Sequence, residues 1–159
     1  VIGTASTDEK CSLIAELGGQ PINYKETDWV REVKQLTDGR GVDVVLESVG
    51  GEVFLRSFRE ALVPMGRLVV FGAASREVVK LTKVEILGSG KAIIGYFLPR
   101  YFTRSHAHRI QEAAIELVQL IQSDQLRVII GKSFALDDAV EAFNYLESRQ
   151  SMGKVIIKP

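Results

Sequence analysis

Short runs of apolar residues alternate with segments of helical periodicity along most of this chain. That alternation is typical of βα units built on a parallel sheet. The run at 42–46 is apolar except for Asp43, which fits a strand that is covered on both faces. The strands predicted from these runs are 1–5, 21–24, 42–46, 67–72, 92–97, 128–130 and 154–157.

Apolar residues at helical spacing predict helices near 7–17, 27–37, 54–62, 83–89, 106–122 and 136–148. Ser6 is a predicted N-cap because Glu9 follows three residues later, the spacing of a capping box. Thr27 is predicted to cap the next helix. We expect the periodic apolar residues of these helices to face inward, among them Ile14, Leu17, Trp29, Val33, Leu36, Ile110, Ala114, Leu117, Ile121, Leu136, Val140, Phe143 and Leu146.

Together these elements predict an α/β protein with a doubly wound, mostly parallel (Rossmann) sheet, incomplete at its N-terminus, and a C-terminal β-α-β tail. The sheet is expected to be incomplete because a strand and a glycine-rich turn should precede the strand at 1–5, and no GxGxxG occurs in the chain. The start at Val1, within the pattern and without a methionine, predicts a part of a longer protein.

Composition excludes several classes of partner. Of the 159 residues 46% are apolar, and Lys plus Arg and Asp plus Glu both number 20, so no net charge favours nucleic acid or a membrane surface. No apolar run approaches the roughly 20 residues of a membrane span. Cys11 is the only cysteine, which excludes an internal disulfide and suits a reducing compartment. We therefore expect a cytoplasmic protein.

Two segments look like fragments of phosphate-binding loops, Gly88-Ser89-Gly90-Lys91 and Gly131-Lys132-Ser133. A phosphate loop needs a glycine five residues before its Gly-Lys pair. That position holds Glu85 in the first segment and Leu126 in the second. Both segments are therefore predicted to be ordinary turns.

No metal site and no catalytic residue is predicted from spacing. His106 and His108 are two residues apart, which places them on different faces of a helix, and no third ligand lies nearby in sequence. Ser57 lacks the surroundings of a nucleophile elbow. We name no acid, base or nucleophile.

The end of the first strand carries the most specific chemistry. In a dinucleotide-binding fold, an acidic residue after the second strand favours NAD, whereas a small residue with a nearby cation accommodates the extra phosphate of NADP. Here the strand ends in Ala5, Ser6 and Thr7, and Lys10 follows one turn into the helix. This pattern favours NADP(H); the alternative is that Lys10 is only a solvated lysine in a first helical turn, where a cation is slightly unfavourable.

Taken in order, several segments resemble the cofactor-binding half of the medium-chain dehydrogenase/reductase superfamily. They are VIGTASTDEK, PINYKETD, DVVLESVGG, GRLVVFGAAS, IIGYFLPRY and ESRQSMGKVIIKP. The chain is most similar to the zinc-free quinone oxidoreductase group, which includes zeta-crystallin-like and prostaglandin-reductase-like enzymes. The resemblance implies that 1–125 form a truncated dinucleotide-binding (Rossmann) domain and that 126–159 return to a catalytic domain.

The resemblance also implies a set of cofactor-binding residues. Ser6 and Lys10 would face the adenosine 2′-phosphate of NADP(H), with Tyr24 beside the adenine and its ribose. Tyr101 would look into the substrate cleft. The remaining positions implied to contact the cofactor are Ser48, Val49, Phe71, Gly72, Phe97, Leu98 and Lys154, of which Lys154 is a second candidate for the 2′-phosphate.

The activity implied by the resemblance is hydride transfer from NADPH to a quinone or an activated C=C bond such as an enone, in a zinc-free homodimer. Alternatives are an enoyl-thioester reductase of the same superfamily, a non-catalytic nucleotide-binding or structural role as in lens crystallins, and another doubly wound domain such as a methyltransferase. Without the first strand, the sheet must close the gap, borrow a strand from a partner chain, or expose unpaired edges. We expect this chain alone to hold no pyrophosphate and to be inactive.

Overall fold

A computed structural model describes residues 1–159, which divide into two compact units, Val1–Arg100 and Tyr101–Pro159. None of the helices has the length and apolar character needed to cross a bilayer. The domain boundary expected after residue 125 stays a prediction. The strands and helices in chain order are β1 (Ile2–Ala5), α1 (Asp8–Glu16), β2 (Gln20–Asn23), α2 (Trp29–Leu36), β3 (Val42–Glu47), α3 (Gly51–Arg56), β4 (Leu62–Val70), α4 (Lys83–Ser89), β5 (Ala92–Gly95), α5 (Ala107–Gln122), β6 (Ile130–Ala135), α6 (Ala139–Glu147) and β7 (Lys154–Lys158).

The strands of the first unit form two separate parallel ladders. β1 pairs with β2, and β4 pairs with β3 on one side and with β5 on the other. The parallel pairing confirms the predicted α/β class. β1 and β3 are not hydrogen-bonded to each other, so each has one edge without a strand partner. The sheet therefore does not close the gap between β1 and β3 within this chain.

The first two helices begin one residue later than the sequence pattern predicts. Thr7, not Ser6, caps α1: its backbone is extended and its Oγ1 accepts a hydrogen bond from the Lys10 amide at 3.4 Å. Asp28, not Thr27, caps α2, accepting from the amides of Val30 and Arg31 at 3.0 and 3.3 Å. In both cases the residue next in sequence is also a good cap, and only the backbone turn decides between neighbours.

Two apolar clusters hold the first unit together. One joins β2 and α2 to the segment after α3, and Ile2 and Val42 pack against it from β1 and β3. This cluster therefore links both ladders without any strand hydrogen bond between them. The other lies between β4 and the segment after α3. The buried members of the two clusters are Ile22, Val33 and Ala61, and Phe58, Leu62 and Leu68.

The helix predicted at 54–62 has a different form. It runs as α3 and then as a π-helical turn, Ser57–Ala61, and β4 begins at Leu62, five residues before the predicted strand. Met65, within β4, has a φ of +64°. The ladder between β3 and β4 is irregular between Val42 and Val44. Phe58, Ala61 and Leu62 are buried, as the apolar spacing of this region indicates. The spacing does not show where the helix ends and the strand begins.

The second unit contains the predicted β-α-β group. β6 and β7 are parallel, and α6 connects them. Phe134 and Ala142 are buried, and the ring of Phe134 lies 5.9 Å from that of Tyr145. Lys132 Nζ lies 4.7 Å from the centre of the Phe134 ring, a cation–π contact.

Several residues expected to face inward are exposed. α5 has no fully buried residue: Ala114, Leu117 and Ile121 are exposed, so their predicted burial is wrong, and Ile110 is half-buried. The remaining exposed residues of this set are Leu17, Leu36, Leu136, Val140, Phe143 and Leu146. Periodicity identifies which face of a helix is apolar, but it does not supply the element that covers this face.

Candidate functional site

The carboxyl ends of β1 and β2 lie side by side. The Tyr24 amide donates to the Ala5 carbonyl at 3.0 Å, which brings Tyr24 to the position just beyond β1, where Ser6 follows. Asn23 Nδ2 donates to Asp8 Oδ1 at 2.8 Å, so the carboxylate that follows Thr7 is engaged across the two strand ends. The Tyr24 ring is exposed. The structure thus brings together Ser6 and Tyr24, and the adenosine-binding role that the resemblance implies for them stays a prediction.

Lys10 lies in the first turn of α1, next to the same edge. At the neighbouring residue, partial burial and the carboxylates of Asp8 and Glu26 raise the pKa of the Cys11 thiol. The thiol is therefore protonated at neutral pH and is not an activated nucleophile. The edge combines hydroxyl groups, an ammonium group and carboxylates in a small region.

The carboxyl ends of β3 and β4 meet in the second ladder. The Phe71 amide donates to the Glu47 carbonyl at 2.9 Å, and the Ser75 amide donates to the Val49 carbonyl at 2.7 Å. The pairing of the two chains thus continues past the ends of the strands. This brings Ser48 and Val49 next to Phe71 and Gly72, as the resemblance implies, and leaves the side chains of Val49 and Phe71 exposed.

Gly72 has a packing reason of its own. A Cβ at this position would lie 2.8 Å from the Ser48 carbonyl oxygen and 3.1 Å from the Ser48 Cα. Backbone atoms cannot give way as the end of a flexible side chain can, so any larger residue forces the two strand ends apart. The resemblance implies that the cofactor contacts Gly72. In this structure it is the Ser48 backbone that lies against Gly72.

Glu47, which the sequence analysis does not single out, is the unusual residue of this edge. Its side chain is only 3% exposed. Oε1 accepts hydrogen bonds from the amides of Val49 and Gly50, both at 2.7 Å, whereas Oε2 is buried without a hydrogen-bond partner. Gly50 has φ +86° and ψ −164°, a conformation essentially restricted to glycine. Its only sequence signal is an acidic residue directly after the apolar residues 44–46, which does not show where the side chain goes.

The end of β5 continues the same edge. The Tyr96 amide donates to the Val70 carbonyl at 2.8 Å, which places the segment after β5 beside the end of β4. Phe97 and Leu98 follow, and both side chains are exposed. Leu98 begins a single 3-10 turn that extends to Tyr101.

Two predicted residues belong to the second unit. Tyr101 makes an edge-on ring contact with His106, with ring centres 5.6 Å apart, and the His106 Nδ1 lies 3.0 Å from Thr103 Oγ1. Lys154 begins β7, and its amide donates to the Ile129 carbonyl at 2.8 Å. The roles of Tyr101 and Lys154 stay predictions.

The residues of this chain do not fit a metal ion. No three His, Cys, Asp or Glu side chains are grouped closely enough to hold one.

Comparison with known proteins identifies the family of the chain. A family described as zinc-binding dehydrogenase matches residues 17–157. The 2-haloacrylate reductase of a Burkholderia species is 31% identical over the whole chain, which covers 48% of that protein. The quinone oxidoreductase of Pseudomonas aeruginosa is 33% identical over the whole chain, which covers 49% of it.

A solved structure of Escherichia coli quinone oxidoreductase complexed with NADPH superimposes with a TM-score of 0.87. It is 34% identical in sequence, over 99% of this chain and 49% of that chain. The chain thus spans about half the length of the curated relatives it matches.

Proposed function

The chain belongs to the zinc-binding dehydrogenase family, in the quinone oxidoreductase group of the medium-chain dehydrogenase/reductase superfamily, and on this premise we propose that it is the cofactor-binding part of an NADPH-dependent reductase. The substrates we propose are quinones or compounds with an activated C=C bond. The proposal concerns the intact protein, since the relatives are about twice as long as this chain.

The end of β1 is the observation that supports NADPH over NADH. Ser6 and Thr7 occupy the place where an acidic residue would bind the ribose of NAD, and Lys10 lies one turn further on. The nearby Asp8 carboxylate accepts a hydrogen bond from Asn23, which links it to the end of β2. An ammonium group in this position is a point-charge partner for the 2′-phosphate.

The residues of the described edges fit a dinucleotide. Exposed apolar side chains follow three neighbouring strands, which suits the flat face of a nicotinamide ring. Gly50 and Gly72 shape the backbone at the ends of β3 and β4. Because neither has a side chain, neither blocks the approach of a ligand to this backbone. When bound, NADPH supplies the hydride, and the residues of this chain bind and orient it.

The relatives favour an electron-poor substrate without deciding its class. One is named for quinones and another for 2-haloacrylate, whose C=C bond is activated by a carboxylate. The haloacrylate relative is the observation that supports activated alkenes as a second candidate class of substrate. In both cases the hydride goes to an electrophilic carbon or oxygen, and a proton completes the reduction.

Turnover by the intact protein tests the proposed function. We expect NADPH oxidation, followed by its absorbance, with a simple quinone or with an α,β-unsaturated acid or ketone. Absence of turnover with every compound of both classes, in a protein that binds NADPH, would favour the non-catalytic nucleotide-binding alternative.

Lys10→Glu tests the choice of cofactor. We expect the dissociation constant for NADPH to rise at least about tenfold, because a charge-assisted contact to the 2′-phosphate becomes a repulsion. Binding of NADH, which lacks this phosphate, should change little. Isothermal titration of both cofactors measures the two effects.

Lys158→Glu is the matched control for this variant, since it makes the same charge change at an exposed residue of the second unit. It should leave both affinities unchanged. An equal loss of NADPH and NADH affinity in Lys10→Glu would show that Lys10 does not recognise the phosphate.

A further inference from the structure

We propose that Glu47 is a positioning residue for the dinucleotide. Its carboxylate holds the turn formed by Ser48, Val49 and Gly50 in the shape that receives the part of the cofactor beyond the adenosine 2′-phosphate. This inference rests on the proposed function and adds to it a residue that acts through the backbone rather than by contact with the cofactor.

Both hydrogen bonds of the Glu47 side chain go to this turn. Oε1 accepts from two successive amides, Val49 and Gly50, at 2.7 Å each. Both amides precede α3, which begins at Gly51, so the carboxylate of Glu47 satisfies the backbone of the turn that leads into the helix.

The burial of this carboxylate is otherwise unexplained. Oε2 lies in the interior without a hydrogen-bond partner, and none of the ion pairs of the molecule includes Glu47. A buried oxygen of this kind is unfavourable for folding, and in a native protein it calls for a reason. An apolar residue would fill the same interior position of the strand without that penalty but would leave the two amides unpaired.

The turn that Glu47 holds is placed to meet a ligand. Val49 is exposed, although its carbonyl is bound by the Ser75 amide. Ser48 lies in contact with the position of Gly72, so the turn and the end of β4 form one continuous surface. A shift of the turn therefore displaces the backbone at the ends of both strands, whereas the end of β1 belongs to the other ladder.

A pair of variants of nearly equal size separates the roles of the carboxylate. Glu47→Gln keeps an oxygen that accepts from Val49 and Gly50, whereas Glu47→Leu fills the space and removes the acceptor. In the intact protein, titration with NADPH and with 2′,5′-ADP, which carries only the phosphorylated adenosine end, measures the two parts of the site separately. Glu52→Gln is the control, because it removes an exposed carboxylate from the adjacent turn of α3.

We expect Glu47→Leu to raise the dissociation constant for NADPH about tenfold, equivalent to about 1.4 kcal/mol. The affinity for 2′,5′-ADP should stay within about twofold of the unmodified protein. Glu47→Gln and Glu52→Gln should bind both ligands as the unmodified protein does. This selective loss is one that a merely structural role would not produce, since general destabilisation weakens both ligands together.

Gly50→Ala keeps the proposal testable if Glu47→Leu does not fold. Alanine cannot easily adopt the backbone conformation of Gly50, and its Cβ would lie 2.9 Å from Ser75 Oγ, so the turn itself changes while Glu47 is intact. We expect the same selective loss of NADPH affinity.

The outcomes that would overturn the proposal are distinct from failure of the proposed function. Unchanged NADPH affinity in Glu47→Leu, or equal weakening of NADPH and 2′,5′-ADP, would overturn the role of Glu47. Equal loss in Glu47→Gln and Glu47→Leu would also overturn it, because the acceptor would not matter. If the unmodified protein binds neither ligand, the proposed function itself fails.

Discussion

Glycine at position 72 and glutamate at position 47 show how single residues shape the edge where the strands end. Gly72 lets the end of β4 touch the Ser48 backbone, and Glu47 secures the turn that contains Ser48. Both residues act on the same few backbone atoms. Neither needs to contact a ligand to decide whether that edge has the correct shape.

Gly72→Ala should destabilise the protein by about 1–3 kcal/mol, the range for adding a methyl group to a packed position. The Cβ would meet the Ser48 carbonyl, Cβ and Cα within 3.1 Å, so the strand ends must separate. Gly95→Ala is the matched control, since a Cβ there meets nothing within 4 Å. Urea denaturation measures both, and equal stability of the two variants would contradict the packing explanation.

The positions of Ser6 and Tyr24 could be predicted from the sequence, whereas the contact that Glu47 makes could not. Ser6 and Tyr24 stand next to strand ends, and parallel pairing of neighbouring strands brings such positions together. The turn contact of Glu47 depends on where its side chain goes after the strand ends, and no pattern of residue types carries that information. Its burial beside the exposed Leu46 follows from the alternation of side chains along a strand.

At the scale of elements, α4 shows a helix whose limits the sequence predicted well. The structure adds the cap: Thr82 Oγ1 accepts from the Glu85 amide at 3.2 Å, while Glu85 Oε2 accepts from the Thr82 amide at 2.8 Å. The hydrogen bonds that the Thr82 amide and hydroxyl donate to Glu85 Oε2, together with those from Arg59, lower the pKa of Glu85 from 4.5 to about 2. The first turn of α4 is therefore stabilised by an ionised carboxylate.

Glu85→Gln should lower stability at neutral pH, and the difference from the unmodified protein should disappear as the pH falls. Because the folded pKa lies below the ordinary value, the contribution of Glu85 is fully present above about pH 4.5 and is lost toward pH 2. Thr82→Ala, which removes the cap, should cost about 1 kcal/mol. Thermal melts between pH 7 and pH 2 measure both effects.

Glu112→Gln, at an exposed position of α5, is the control for the pH series and should follow the unmodified protein throughout. A constant difference between Glu85→Gln and the unmodified protein down to pH 2 would contradict the assignment of the low pKa.

α5 shows the limit of prediction at the same scale. Its position was predicted within one residue at its start, because sixteen residues with helical periodicity and no proline leave little ambiguity. Its apolar face was expected to be buried and is exposed, with Leu117 51% accessible. Burial depends on a second surface, and the periodicity of one helix does not provide that surface.

At the scale of the whole molecule, β1 and β3 each have one edge without a strand partner. A strand edge with free amide and carbonyl groups is a template for pairing with another chain. β5 has a further such edge, and Ile93 and Ile94 are exposed on it. We propose that the chain forms a homodimer through one of these edges.

Light scattering of the 159-residue chain at increasing concentration should therefore show a dimer. Ile94→Lys should abolish it if β5 is the interface, because a charge on an edge strand opposes pairing. Leu117→Lys, which alters an exposed apolar residue of α5, should not. A dimer that persists in Ile94→Lys would place the interface at β1 and β3, and a stable monomer at high concentration would contradict the proposal.

By itself, the sequence determined the order and type of the elements and the family. Alternating apolar runs and helical periods are local properties, and local turns and caps limit each element. The tertiary structure is needed to show which strands are neighbours in each sheet, that β1 is separate from β3, and where the Glu47 carboxylate lies. Each of these depends on contacts between segments far apart in the chain, whose free energies no local pattern expresses.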